Sequence, residues 1–213
     1  MRALVLAHMV LASGIIVPLD RQAIFDALAI ANSSIESTHR RFHAGYRVPV
    51  SKAPVDFVSI VSPFRRVVLA AETEVRLGRR MFGQQEALAA LQPDPDRFEV
   101  YVELTFHPHN TFIGVPDYRI ALEPISFRGP PIAPREVDRL QRFGPRLDDT
   151  WYPFPYPYPV GPKVPGGGQP LLGGTLIARI PGAEIDPNGV YAVIVKDGAT
   201  ELARARVDLA LLR

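Results

Sequence analysis

Residues 98–107 read Phe-Glu-Val-Tyr-Val-Glu-Leu-Thr-Phe-His, an alternation of apolar side chains with polar or partly polar ones. A period of two residues is typical of a β-strand that has one face in a core and the other toward solvent. The segment therefore predicts a strand whose solvent-facing side carries Glu99, Tyr101 and Glu103. Strands with one wet face usually belong to antiparallel sheets.

Further short segments rich in β-branched or alternating residues predict more strands. They cover residues 55–61, 118–122, 175–180, 190–196 and 201–211. The turn sequences Asp186-Pro-Asn-Gly189 and Asp197-Gly198 separate the last three of these segments and favour tight reversals. The pattern predicts an α+β or mainly β chain, built as an antiparallel β-sandwich that an immunoglobulin-like arrangement would fit.

One long amphipathic helix is predicted over residues 63–91, before the strand pattern begins. Ser62-Pro63 is typical of a helix start, and the helix is expected to continue until Pro93 ends it. At 100° per residue the apolar side carries Phe64, Val67, Val68, Ala71, Val75, Gly78 and Phe82. The opposite, solvated side carries Arg65, Glu72, Arg76, Arg79 and Arg80. A helix with two such sides is expected to cover one face of a sheet.

A proline-rich insertion occupies residues 129–170, which contain 11 of the 22 prolines. Residues 133–143 predict a short amphipathic helix, whereas 151–159 alternate aromatic residues with proline and predict an extended polyproline II segment. Such a stiff aromatic strip is suited to recognition of a sugar ring or a peptide, or to wrapping a sheet edge. The candidate ligand-binding residues are Trp151, Tyr152, Phe154, Tyr156 and Tyr158.

The N-terminal residues 1–19 predict a signal peptide, because Arg2 is followed by an apolar run that ends at Pro18. This run is too short for a stable membrane span. Residues 20–213 then form a single β-sandwich domain, located in the periplasm or secreted. The alternative is a cytoplasmic protein with a buried N-terminal helix. The net charge of +2 argues against a nucleic-acid partner.

One histidine pair is a candidate metal site. His107 and His109 are two residues apart, so in extended backbone both rings project to one side, and Glu103 lies on the same side of the predicted strand. Two imidazoles and a carboxylate are ligands that a divalent metal such as Zn²⁺ accepts. The alternative is a solvated pair at a strand end. In the loop that follows, Asn110 is expected to fix the bend by local hydrogen bonds, with Phe106 and Phe112 packed beneath it.

Three functions fit these features. The leading hypothesis is a non-enzymatic, exported or envelope-associated structural or binding module without a cofactor, whose partner is an envelope protein, a peptide or a glycan. It depends on the N-terminal segment, the strand pattern and the lack of sequence motifs for common hydrolases and nucleotide-binding enzymes. The second is a metal-binding protein or metal-dependent hydrolase that uses Glu103, His107 and His109. The third is a cytosolic partner-binding domain that uses the arginine side of the long helix.

Overall fold

The computed structural model describes residues 18–78, 82–143 and 171–212. Within these ranges the chain is an α+β protein with four α-helices and two antiparallel sheets. The helices are α1 (Arg21–Ala31), α2 (Glu36–Gly45), α3 (Pro63–Arg76) and α4 (Gln84–Ala90). The strands are β1 (Arg47–Lys52), β2 (Val55–Val61), β3 (Phe98–Thr105), β4 (Arg119–Pro124), β5 (Glu136–Arg142), β6 (Gly173–Ile180), β7 (Val190–Asp197) and β8 (Thr200–Asp208).

The two sheets share one hydrophobic core. The larger sheet has the strand order β1-β2-β3-β6-β5, and the smaller has the order β4-β7-β8. Alternate side chains of both sheets, such as Val100 and Val102 on β3 and Val193 and Val195 on β7, are completely buried in the same apolar cluster. Burial of this apolar surface contributes most of the free energy that holds the sheets together.

The strands expected from the sequence are present, with small shifts of their ends. β7 and β8 form a hairpin whose turn contains Gly198 at φ +55°, a conformation that favours glycine. The last strand ends at Asp208 rather than residue 211, because Leu209–Leu211 form a 3-10 turn. Leu211 is therefore 74% exposed. The immunoglobulin-like arrangement stays a prediction.

The face of β3 that was expected to be wet is buried, and this expectation was wrong. Glu99, Tyr101 and Glu103 are 5%, 5% and 7% exposed. Leu69 of α3 lies in the same apolar cluster as Tyr101, so the helix covers part of this face. The two carboxylates are compatible with burial because each has a partner on a neighbouring strand. Glu99 lies 3.5 Å from Arg179, and Glu103 accepts a hydrogen bond from Thr175 at 2.8 Å.

The long helix predicted over residues 63–91 is two helices in the structure. It begins as expected, with the Ser62 hydroxyl accepting from the Arg65 amide, but α3 ends at Arg76 and α4 begins at Gln84. Gly78 lies just beyond α3 at φ +74°, a backbone conformation that commonly ends helices. The α3 side predicted to be apolar is buried from Phe64 to Ala71, but it packs mainly against α1.

The solvated side predicted for the same helix is partly wrong. Arg65 and Glu72 are 1% and 3% exposed, because α2 and β2 lie against this side of α3. Arg65 is therefore not part of a surface that a partner protein would contact. Arg79 and Arg80 lie outside the described residues.

Two segments differ from the sequence-based expectation. Residues 35–54, which lie outside the helix and strands predicted from the sequence, contain α2 and β1. Residues 133–143, expected to be a helix, contain the strand β5, which pairs with β6 from Glu136↔Arg179 to Arg142↔Gly173. Pairing with a neighbouring strand outweighs the weak helical periodicity of this polar segment.

Candidate functional site

A cluster of four ionisable side chains joins α2 to α3 beneath the protein surface. We call His39, His43, Arg65 and Glu72 the His–Glu–Arg cluster. His43, Arg65 and Glu72 are at most 3% exposed, and only the His39 side chain reaches solvent, at 12%. Such groups are rarely buried unless they are paired, so their mutual contacts decide which of them are charged.

Helical spacing positions these side chains. His39 and His43 lie four residues apart on α2, and Arg65 and Glu72 lie seven apart on α3, so each pair lies on one face of its helix. The Ser62 cap fixes the start of α3 and so the direction of Arg65. The two faces meet where Glu72 contacts both imidazoles.

His39 is held between two hydrogen-bond acceptors. Its Nδ1 lies 2.5 Å from Glu72 Oε1, and its Nε2 lies 2.7 Å from the carbonyl oxygen of Ser33. A neutral imidazole has a single N–H, so two donated bonds of this kind require the doubly protonated cation. Burial disfavours that cation, but the Ser33 carbonyl and Glu72 outweigh the penalty and raise the pKa of His39 above its usual value.

His43 makes a different contact with the same carboxylate. Its Nε2 lies 3.2 Å from Oε1 and 3.1 Å from Oε2 of Glu72, and one N–H is enough for this interaction. Burial lowers the pKa of His43, and the positive charges of Arg65 and His39 act in the same direction, so this ring is neutral near pH 7. Burial opposes ionisation of Glu72, but the bonds from both histidines hold the pKa of its carboxyl below the usual value.

Arg65 brings a permanent positive charge beside the histidines. Its Nη1 donates to Ser59 Oγ at 2.7 Å and to the carbonyl oxygen of Ile60, and its guanidinium lies 4.8 Å from the centre of the Tyr46 ring. Burial lowers the pKa of Arg65 to about 10, although the field of Glu72 acts against this shift. Arg65 is therefore still a cation at neutral pH.

Chemically, the His–Glu–Arg cluster holds one exchangeable proton near neutral pH. With His39 and Arg65 positive, Glu72 negative and His43 neutral, its net charge is +1. The partly exposed His39 gives the proton a route to solvent. The cluster was not predicted from the sequence, because Arg65 and Glu72 fall on the predicted solvated side of the helix and no helix was predicted over residues 36–45. The spacing His39-x-x-x-His43, one helical turn, is the signal that would have revealed it.

The predicted ligand-binding residues Trp151, Tyr152, Phe154, Tyr156 and Tyr158 lie outside the described residues. The chain on either side of them is described, and it defines where their segment is attached. The Leu172 amide donates to the Arg142 carbonyl at 2.9 Å, so the two flanks, Phe143 and Leu171, are close together at one end of the larger sheet.

The candidate metal ligands are only partly brought together. The rings of His107 and His109 are 5.3 Å apart, and both residues are exposed. Glu103 is buried, with its carboxylate bonded to Thr175 and 3.4 Å from Arg142. In the described ranges no three His, Asp or Glu side chains are grouped so that they could hold a metal ion. A divalent metal at the histidine pair stays a prediction.

The loop after β3 has the structural role expected from the sequence. Asn110 Oδ1 accepts from the Phe112 amide at 2.9 Å, and its Nδ2 donates to the carbonyls of His107 and Leu171, each at 2.7 Å. The rings of Phe106 and Phe112 are 5.0 Å apart, edge to face. Asn110 thus ties this loop to the start of β6.

Comparison with known proteins identifies no relative. No protein-family model, no curated protein and no solved structure matches this chain. Of the helices in the described part of the chain, none is both long and apolar enough to span a membrane.

Proposed function

We propose that this protein is a non-enzymatic binding module, exported or associated with the cell envelope, whose two sheets form a β-sandwich that supports a ligand surface at one end. The shared core of the two sheets supports the sandwich. The ligand surface lies where the described chain leaves the larger sheet at Phe143, within the proline-rich insertion, and re-enters it at Leu171, just after the end of that insertion. We call this region the insertion end, and define it by Phe112, Ile113, Phe143 and Leu171.

The observation that carries the proposal is the apolar surface at the insertion end. Ile113 is 99% exposed, and Phe112 and Phe143 are 43% and 42% exposed. The link from Asn110 to the Leu171 carbonyl places the 106–113 loop beside the flanks of the insertion. Exposed apolar groups with a polar surround are typical of interaction sites. In the sequence, the five aromatic candidate residues lie between Phe143 and Leu171.

An envelope glycan is the ligand that this chemistry favours. Apolar faces of sugar rings stack on aromatic side chains, and Trp151, Tyr156 and their neighbours supply several of them. His107 and His109, exposed in the same loop, add groups that hydrogen-bond to hydroxyls. A proline-rich peptide is the alternative ligand, because it would use the same aromatic residues.

Trp151 gives a direct test, because it is the only tryptophan in the chain. We expect its fluorescence emission to change on titration with soluble peptidoglycan fragments. Ile113→Asp and Tyr156→Ala are expected to weaken this binding at least tenfold. Ile113→Asp should change the melting temperature by less than about 2 °C, since Ile113 is exposed and surface substitutions cost little stability, and the proposal requires the same of Tyr156→Ala. The matched control is Leu211→Asp, an exposed apolar residue on the C-terminal 3-10 turn.

Several results would contradict the proposal. They are no response of Trp151 to glycan fragments or to a proline-rich peptide, equal binding by Ile113→Asp and the Leu211→Asp control, or a large loss of stability on Tyr156→Ala. The last result would mark the aromatic segment as a structural wrap. Export is tested separately by expressing the full chain and locating it, and an unprocessed cytoplasmic product would contradict that part.

A further inference from the structure

The attachment of α2 to the rest of the protein is mainly polar. His43 is the one residue of α2 that is buried, and Phe42, the main apolar contact, is only partly buried. The Phe42 ring lies 6.0 Å from that of Phe64 and 5.0 Å from that of Tyr46. A helix with so little buried apolar surface belongs to the least stable part of a fold, so its polar contacts decide whether it stays in place.

The polar contacts that His39 makes depend on one proton. His39 bridges the Ser33 carbonyl, just before α2, and Glu72 on α3, and it does so with both ring nitrogens. When the proton leaves, one of the two nitrogens turns a lone pair toward an oxygen that also carries lone pairs. The bridge is then broken on one side, and the carboxylate loses a neighbouring positive charge.

Other charged and titratable groups lie around His39, but none of those named here takes over its bridge between Ser33 and Glu72. On α3 these are Glu72, Arg65 and Arg76, whose Nε donates to the Glu72 carbonyl at 3.3 Å. On α2 and directly after it they are His43 and Tyr46, and Tyr101 of β3 lies near Arg65. Glu36 and Arg40 form an exposed ion pair on α2, so their charges cancel each other. Within this set, Glu72 carries the negative charge that His39 balances.

We propose that the His–Glu–Arg cluster is a proton-operated latch. With His39 protonated, α2 and the connection at Ser33 are held against α3. Loss of that proton as pH rises releases α2 and uncovers the apolar surface around Phe64, while the two sheets stay folded. The device does not depend on the ligand proposed for the insertion end.

Linkage sets the size of the effect. Release of one proton changes the opening equilibrium of α2 by up to tenfold for each pH unit between the ordinary pKa of His39 in the open state and its raised pKa in the closed state. Because the ordinary pKa is 6.5, this range begins near pH 6.5, and it ends where the closed state also loses the proton. The sheets are held by apolar burial and contain no part of the latch, so their opening equilibria do not follow the same slope.

Amide hydrogen exchange between pH 6 and pH 9 tests the latch, with each rate divided by the intrinsic rate at the same pH. We expect protection of α2 to fall from near pH 6.5 by up to tenfold per pH unit and to level off once the closed state has lost the His39 proton, while protection of β3 and β7 stays constant. In His39→Gln, α2 is expected to show low protection with no pH dependence. His109→Gln changes an exposed histidine in the loop after β3, away from the latch, and is expected to behave like the unmodified protein.

An independent measurement uses the imidazole ¹⁵N signals of the unmodified protein, so the test does not depend on folding of His39→Gln. Both ring nitrogens of His39 are expected to be protonated at pH 6, and one of them is expected to lose its proton above pH 6.5. Three outcomes would overturn the latch: a neutral His39 at pH 6, pH-independent protection of α2, or simultaneous loss of protection in α2 and both sheets.

Discussion

Glu72 contacts both histidines of the His–Glu–Arg cluster, so replacing it with glutamine tests how the cluster contributes to stability. Glu72→Gln keeps the shape of the side chain and removes its charge. The amide oxygen still accepts a hydrogen bond from His43 Nε2, but the imidazolium of His39 loses the carboxylate that stabilises it, and Arg65 loses a nearby negative charge. The protein is therefore left with buried positive charge that is not balanced.

The expected loss of stability is about 3 kcal/mol near pH 6.5. Removing one partner of a buried ion pair costs about 3–5 kcal/mol, and the lower end applies here because glutamine retains part of the hydrogen bonding. An entropy of unfolding of about 2.1 cal/mol/K per residue over 213 residues gives about 0.45 kcal/mol/K. The melting temperature should therefore fall by about 7 °C.

The pH dependence gives a second measurement on the same variant. The raised pKa of His39 gives stability that is fully present below pH 6.5 and is lost as pH rises through its folded-state pKa. The lowered pKa values of His43 and Glu72 give stability that is lost as pH falls, below about 6.5 and about 4.5 respectively. The protein should be most stable near pH 6.5, and Glu72→Gln should lose the decline on the alkaline side.

Thermal unfolding followed by circular dichroism at pH 5, 6.5 and 8.5 measures both effects. The matched control is Glu123→Gln, which breaks an exposed ion pair with Arg204 at 2.6 Å and should cost less than about 1 kcal/mol. The reasoning is refuted if Glu72→Gln melts within about 2 °C of this control at pH 6.5, or if it keeps the alkaline decline of the unmodified protein.

Two further predictions concern the attachment of the insertion end, and urea unfolding checks both. Gly173→Ala should cost about 2–4 kcal/mol, because a Cβ there would lie 2.2 Å from the Leu104 carbonyl oxygen and must push β3 and β6 apart. Gly45→Ala, with nothing within 4 Å, is its control, and an equal loss in both would contradict the steric argument. Asn110→Ala should cost about 1–2 kcal/mol through its lost hydrogen bonds, and an unchanged urea midpoint would exclude that role.

The strands were predictable because their signal is local. The alternation in residues 98–106 and the turn at Asp197-Gly198 both describe structure that is fixed by neighbours in sequence. β5 was mistaken for a helix because a polar edge strand has weak periodicity, and its conformation depends on pairing with β6, more than 30 residues later. The start of α3 at Ser62-Pro63 was also predictable, because a helix cap is set by adjacent residues. The end of α3 was not predictable in this way.

The candidate site was not predictable from polarity alone. Charged residues on a helix are usually solvated, so Arg65 and Glu72 were placed outside, but the positions of α2 and β2 bury them. Glu99 and Glu103 were placed outside on the same grounds, but a neighbouring strand supplies each with a partner. For Glu72 and Glu103, burial of the charge depends on partners far away in sequence, which periodicity does not reveal.

The adjacent positions of Phe143 and Leu171 have a consequence for the use of this chain in engineering. β5 and β6 are antiparallel neighbours, so any connection that joins these two points leaves the pairing from Glu136 to Arg142 intact. The entropic cost of closing a loop rises only slowly with its length. Segments of very different size and chemistry are therefore interchangeable at this junction, which makes the sheet a scaffold for display of foreign peptides.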